Sequence, residues 1–198
     1  MGSIESHNMY ENFYEEEIED LTGVEFIECT FDGVIFEDIQ ITRSRFENCK
    51  FKGCKFNGSV FHDSALINCS FRFSRFFSTD FKSCKLTGSS FIDTDISLIE
   101  IDGGDWSYTN LSQQNFSNKK FRNVDFSGSD FSFTNFQKST VTDCSFVQSR
   151  IFETNFIGAD IRSSRFDGNI AQIKMKKTKI DLEQAVLIAN GHGGSYTP

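Results

Sequence analysis

From Leu21 to Phe166 every fifth residue is a large apolar side chain, with no insertion, deletion or frame slip across 30 consecutive units. A period of five fits neither the 3.6-residue helix nor the two-residue strand, so the chain has to build a structure whose own repeat is five residues. Nineteen of the 24 phenylalanines occupy this central position, and the exceptions, among them Ile41, Leu66, Leu86, Trp106 and Val141, are also apolar. Two places earlier stands Cys, Ser, Thr, Val or Ala in most units, as at Ser44, Cys49, Cys54, Ser59 and Ser64. The flanking positions are mainly polar or charged. Two places after the central residue, Gly, Asn or Asp occurs in 17 of the 30 units. A large inward residue, a small inward residue and a turn former in fixed order describe one side of a polygon: a short extended piece, then a corner.

Gly and Asn tolerate the positive φ that the third position of a type II turn requires. Four such corners close a square of about 20 residues, and coils then stack through parallel bridges about 4.8 Å apart. The pattern therefore predicts an all-β parallel helix of seven and a half coils, a rod of about 36 Å. Pro198 is the only proline, as expected where almost every backbone N–H is needed by a neighbouring coil. Stacking by twenties lists the core directly. One column runs Phe31, Phe51, Phe71, Phe91, Leu111, Phe131 and Ile151, and the next runs Phe36, Phe56, Phe76, Ile96, Phe116, Phe136 and Phe156.

Three segments follow. Residues 1–20 carry Glu5, Glu11, Glu15, Glu16, Glu17, Glu19 and Asp20 and read as an acidic N-terminal cap. Residues 21–168 are the repeat, and residues 169–198 form a C-terminal module with four lysines at 174, 176, 177 and 179 and then a short α-helix. Asp181 with Gln184 three residues on is a capping-box pair, and Gly191 supplies the stop. Leu182, Ala185, Val186 and Ala189 make the helix's apolar stripe, widened by Leu187 and Ile188. Two readings stand: the helix caps the open coil, or it also forms a homodimer through Leu182, Val186, Leu187 and Ala189. One zone, 99–119, breaks the pattern. Gly104 accompanies Trp106, an exchange of small for large that holds core volume constant. Gln114 and Lys119 occupy the small inward slot, and Lys119 is expected to point outward from a distorted coil.

Composition narrows the function. The net charge of −8 argues against direct nucleic-acid binding. No apolar run approaches the length of a membrane span, and the first ten residues do not read as a secretory signal, so a cytoplasmic, soluble protein is expected. All six cysteines stand two places before a central residue, which marks a demand for a small buried side chain rather than disulfides or a metal site. The three histidines, His7, His62 and His192, lack partners in a fixed constellation, and neither a phosphate loop nor a nucleophile elbow is present. No enzyme activity and no cofactor are expected. What remains is surface recognition. Acidic residues gather on one edge of the square, with Asp63, Asp80, Glu100, Asp102, Asp105 and Asp125 as its candidate contact residues. Exposed aromatics at Phe73, Phe77, Phe133 and Phe152 offer a different contact.

The units Thr154-Asn155-Phe156-Ile157-Gly158 and Ala159-Asp160-Ile161-Arg162-Ser163 resemble the motif of the pentapeptide-repeat proteins. The resemblance covers residues 21–168 and implies a right-handed quadrilateral β-helix. The Qnr- and MfpA-type members of that family look similar, since they end in an apolar module through which two rods pair tail to tail. They bind DNA gyrase, and in some cases topoisomerase IV, as DNA mimics that protect against quinolones or gyrase-directed toxins. The resemblance thus implies a non-catalytic, dimeric gyrase or topoisomerase IV binder. The alternative reading is an interaction scaffold for a non-topoisomerase bacterial partner.

Overall fold

A computed structural model of the chain describes residues 7–9, 12–14 and 18–197. It is a right-handed, four-sided parallel β-helix closed at its C-terminal end by a ten-residue helix, Leu182–Gly191 (α1). Consecutive coils pair in parallel with a register of 20, as in Leu21↔Ile41, Phe26↔Phe46 and Phe31↔Phe51. We number the faces by their first central residue: Leu21 on the first, Phe26 on the second, Phe31 on the third and Phe36 on the fourth.

The ladder has a simple rule. A central N–H donates to a carbonyl 19 residues ahead, as Phe36 does to Lys55 at 2.7 Å, and the preceding residue donates backward, as Lys55 does to Val34 at 3.0 Å. At the corners φ is positive two places after the central residue in 28 units, every one except Leu98 and Gly168, and 20 of these residues are not glycine. The corner is therefore imposed by ladder and core, not by glycine alone. Gly104 is a place where glycine is required: φ is 101°, and a Cβ there would collide with the Cys84 carbonyl oxygen.

Phenylalanine rings stack through the interior. Phe31, Phe51, Phe71 and Phe91 follow one another with centroids 4.7, 4.9 and 4.9 Å apart, nearly parallel. Leu111 separates Phe91 from Phe131, which packs instead against Phe126, Phe136 and Phe146. The column also extends toward the N-terminus, because Phe13 is buried and stacks on Phe31 at 4.8 Å. Here the register is 18 rather than 20, with Phe13 paired to Phe31 and Asn8 to Phe26. The described part of the first 20 residues thus adds rungs and core. Glu5, Glu11, Glu15, Glu16 and Glu17 lie outside the described residues.

The small inward slot does more than save space. Most of its hydroxyls, and the thiols of Cys49, Cys54 and Cys69, donate to the carbonyl of the central residue 23 positions earlier: Ser64 to Ile41 at 3.0 Å, Thr134 to Leu111 at 2.7 Å, Cys54 to Phe31 at 3.3 Å. A carbonyl has two lone pairs, and the slot satisfies the one turned inward. All six cysteines are buried.

Gln114 stretches this bond, and Lys119 replaces it with one to a carbonyl 20 positions earlier. Gln114 is buried, with Nε2 on the carbonyls of Phe91 at 3.2 Å and Thr94 at 2.9 Å, and its Oε1 accepts from the Ile96 N–H at 3.4 Å. Lys119 does not point away from the coil. Only 16% of its side chain is exposed, and Nζ donates to the Ile99 carbonyl and to Glu100, both at 2.9 Å. Two long side chains thus stand where backbone rungs would. Among the described residues no bridge joins Asp95 to Asn115 or Glu100 to Lys120, whereas the second and third faces continue through Asp105↔Asp125 and Asn110↔Asp130. The ladder is open on two faces and closed on the other two, a one-sided wedge halfway along the rod. The central residues just before it, Ile96, Ile101, Trp106 and Leu111, make one whole coil without phenylalanine. Trp106 is fully buried, and its indole N–H has no partner among the described residues.

The C-terminal cap repeats the same chemistry. Asp181 and Gln184 form the capping box, and Gln184, the buried residue of α1, sends Nε2 to the carbonyls of Ile161 at 2.6 Å and Ser164 at 2.7 Å. Those acceptors stand 23 and 20 positions earlier, as for Gln114. Gln184 therefore covers carbonyls of the last coil, with Leu187 and Ile188 packed against the core.

Two outcomes are expected. Replacing Gln184 by Ala strands two buried carbonyls and should cost about 2–4 kcal/mol of stability in denaturant titration, with exchange of amides near 161–164 rising first. Burial pushes the thiols of Cys54 and Cys84 up to about 11 and that of Cys144 up to about 12, from an ordinary 9.0. Above pH 9 the unfolded thiols ionise while the folded ones keep their protons, so the unfolded chain binds fewer protons and stability falls as pH rises, by about 1.4 kcal/mol per unit of separation for each thiol. A variant with all three replaced by Ser, which already fills this slot elsewhere, should lose that slope between pH 9 and 11. An unchanged slope would contradict the assignment.

Candidate partner-binding surfaces

The acidic edge is built from positions either side of the central residue, which the pleat turns outward, and from corner positions. Asp80 and Glu100 are neighbours in the first-face ladder, and Lys82 and Asp102 are neighbours beside them. Asp105 and Asp125 are neighbours on the second face. The corner at Gly103 and Gly104 joins the two groups, so five of the six acids form one cluster. Asp63 sits apart on the same corner, two coils earlier.

Basic side chains lie beside these acids, some on the same coil and some on the next. Lys82 lies 3.3 Å from Asp80, Lys119 lies 2.9 Å from Glu100, Lys85 lies 3.6 Å from Asp105, and Nδ1 of His62 lies 3.1 Å from Asp63. Asp102 and Asp125 have no ion pair among the described residues. Asp125 instead accepts from the N–H of Ser127 at 2.9 Å and its hydroxyl at 2.5 Å. Burial opposes ionisation of Asp105, but hydrogen bonds from Ser107 and Thr87 and the nearby Lys85 outweigh it and hold the carboxyl below its usual range. The cluster is anionic at neutral pH, with most of its charge locally compensated.

Charge is polarised along the axis as well. Residues 1–50 contain 13 acidic and three basic residues, a net of −10, and residues 51–198 contain 15 and 17, a net of +2. The whole excess of negative charge belongs to the first coils and the segment before them. This was open to a count by position along the rod; sorting charges by face alone conceals it.

In α1 the predicted stripe is turned outward. Leu182 is 69% exposed, Ala189 is exposed and Val186 is half-buried, while Leu187 faces the core. Sequence reasoning missed Gln184 as the inward residue, because a polar side chain on a helix normally marks the wet face. Its spacing of 20 from Ser164 was the available signal.

The third face carries a different surface. Phe73 and Phe133 are 58% and 59% exposed, and Phe133 meets Phe152 edge to face at 5.5 Å. Phe77 lies on the fourth face. Among the described residues, no group of three or more His, Cys, Asp or Glu side chains converges as a metal site would require, and no helix is long and apolar enough to cross a membrane.

Residues 19–90 match a family model described as pentapeptide repeat region, and residues 107–143 and 129–168 match one described as pentapeptide repeats (8 copies). No curated protein matches the chain. Among solved structures the chain is similar to two trypsin-treated variants of QnrB1, a plasmid-mediated fluoroquinolone resistance protein. One is 21% identical, with 96% of this chain and 99% of that one covered and a TM-score of 0.63; the other is 20% identical, with 97% and 100% covered and a TM-score of 0.58. At these identities the likeness is one of fold, and it runs the length of both chains.

Proposed function

Because this chain belongs to the pentapeptide-repeat family, we propose that it is a non-catalytic protein that occupies the DNA-binding surface of DNA gyrase or topoisomerase IV and shields the enzyme from quinolones or gyrase-directed toxins. The observation that carries this reading is an uninterrupted rod with carboxylates clustered at one mid-rod corner and its net negative charge in residues 1–50. A basic groove made for duplex DNA attracts such a rod electrostatically, and the attraction weakens with salt. Likeness of fold to a fluoroquinolone resistance protein over the full length supports the same reading.

Within that reading residues 1–50, at −10, supply the long-range attraction, and Asp102 and Asp125, which form no ion pair among the described residues, supply the closest contacts at the mid-rod corner. Asp80, Glu100 and Asp105 add contacts only as their own cations are drawn off or shared, and Asp63 adds one beside His62. The outward stripe of Leu182, Val186 and Ala189 serves tail-to-tail pairing of two copies. Pairing of that kind puts the two acidic ends at opposite extremes of a doubled rod, so that each reaches a separate basic patch of a two-fold symmetric enzyme. A cytoplasmic location follows from the partner.

Purified gyrase assayed for DNA supercoiling, with and without a quinolone, tests the proposal. The protein should inhibit supercoiling or relieve the drug's effect, less strongly as NaCl rises from 50 to about 200 mM. Replacing Asp102 and Asp125 together by Asn should weaken the effect about tenfold. No effect on gyrase or topoisomerase IV at any protein concentration would overturn it.

A further inference from the structure

Exposed apolar side chains are distributed as unevenly as the charge. Of the ten large hydrophobic residues exposed among the described ones, five lie on the third face (Tyr14, Phe73, Ile92, Phe133 and Phe152) and two on the fourth (Phe77 and Leu98). The first face, which carries the acidic cluster, has none. Phe73 and Phe133 also sit at corner positions with φ of 60° and 62°. A bulky side chain there is disfavoured by the backbone and gains nothing from burial, so each aromatic is costly twice over. Earlier corners of the same column hold Gly33 and Gly53, which carry neither cost.

Between the aromatic ends the surface is hollow. The open wedge gives a depression of about 320 Å³ between Ile92–Asp95 and Ser112–Asn115. Ser112 and Gln113 continue into a second depression of about 480 Å³, walled by Phe133 and Phe152. Thr94, Ser112, Gln113, Gln114 and Asn115 give a polar floor, and Ile92, Phe133 and Phe152 give apolar walls. Most charges on and around it are paired: Arg72 with Asp93 at 2.8 Å, Arg150 with Asp130 at 3.9 Å, and Lys174 with Glu153; Asp95 has no ion pair among the described residues and accepts from the Ser97 N–H at 2.9 Å. Arg72 also lies over the Phe73 ring at 5.2 Å.

We propose that this trough on the third face is a second docking site, and that its occupant is an extended, uncharged segment of another protein with aliphatic side chains at alternate positions. The amide of Gln113 and the hydroxyl of Ser112 meet the segment's backbone, and Ile92, Phe133 and Phe152 take its side chains. Size excludes a second copy of the rod as the occupant. Phe73 to Phe152 spans four coils, about 19 Å, and a strip of that length one face wide offers roughly 200 Å², against the 800 Å² per partner that a stable protein dimer buries. The same 19 Å matches five or six residues of extended chain. An uncharged occupant facing mostly paired charges should bind with little dependence on salt, unlike a partner at the acidic corner.

A phage-displayed heptapeptide library panned against the intact protein in 0.5 M NaCl supplies the probe. Enriched sequences should be aliphatic and uncharged. Their synthetic peptides should bind with the same affinity at 50 and 500 mM NaCl, lose about tenfold or more with Phe133→Ser plus Phe152→Ser, and bind unchanged to Asp102→Asn plus Asp125→Asn. The serine variant alters only exposed side chains, and an unchanged thermal midpoint confirms that it folds. Failure to enrich any peptide, enrichment of basic salt-sensitive ones, or binding that survives the serine changes would each overturn the proposal. None of these outcomes bears on gyrase.

Discussion

Each coil is tied to the one before it by a hydrogen bond from a short inward side chain to the carbonyl of a central residue. That bond fixes how closely two coils can lie, and the rest of the molecule adjusts to it. Ser, Thr and Cys have the right reach, so the backbone ladder closes and the phenylalanines stack at about 4.7–4.9 Å. A thiol can serve only while protonated, which burial favours at Cys54. Lengthen the donor, and at Gln114 the bond survives at the expense of the rungs beside it, while at Lys119 the ammonium takes the carbonyl of Ile99 instead. The same long donor at Gln184 is an advantage, because no further coil exists there to be pushed away.

Much of this was legible in the amino-acid sequence. An unbroken five-residue frame allows one economical closure, and twenty-residue columns list the core residue by residue. Phe13 escaped because it joins the column with a register of 18, so its frame is offset from Leu21 onward. Positive φ at Glu28, Arg43 or Lys138 escaped because corner conformation is imposed by neighbouring coils, whereas residue preference is local. Lys119 was expected outside on the ground that a buried ammonium is costly; its stem lies in the slot and its charge finds Ile99 and Glu100. Five of the six acidic-edge residues lie together at one corner, and their partial neutralisation depends on which residues lie beside each other within and across coils. That information is present in the same columns that list the core.

The rod presents two unlike surfaces from one regular scaffold. On the first and second faces carboxylates cluster at a glycine corner, and attraction there is long-ranged and screened by salt. On the third face charges are mutually paired, aromatics are held in costly conformations, and a wedge in the ladder provides depth. A flat solenoid face has little concavity of its own, so the distortion that Gln114 and Lys119 introduce is also what creates a trough. A protein with both surfaces can hold one partner by charge and another by shape, on opposite flanks.

Residue-resolved amide hydrogen exchange on the intact protein tests the central claim most directly. If long donors hold the coils apart on one side, amides of residues 95–100 and 115–120 should exchange faster than those of Asp105, Asp125, Asn110 and Asp130, which lie at the same height on the closed faces. Protection that is uniform around the coil, or weakest on the second and third faces, would contradict the account.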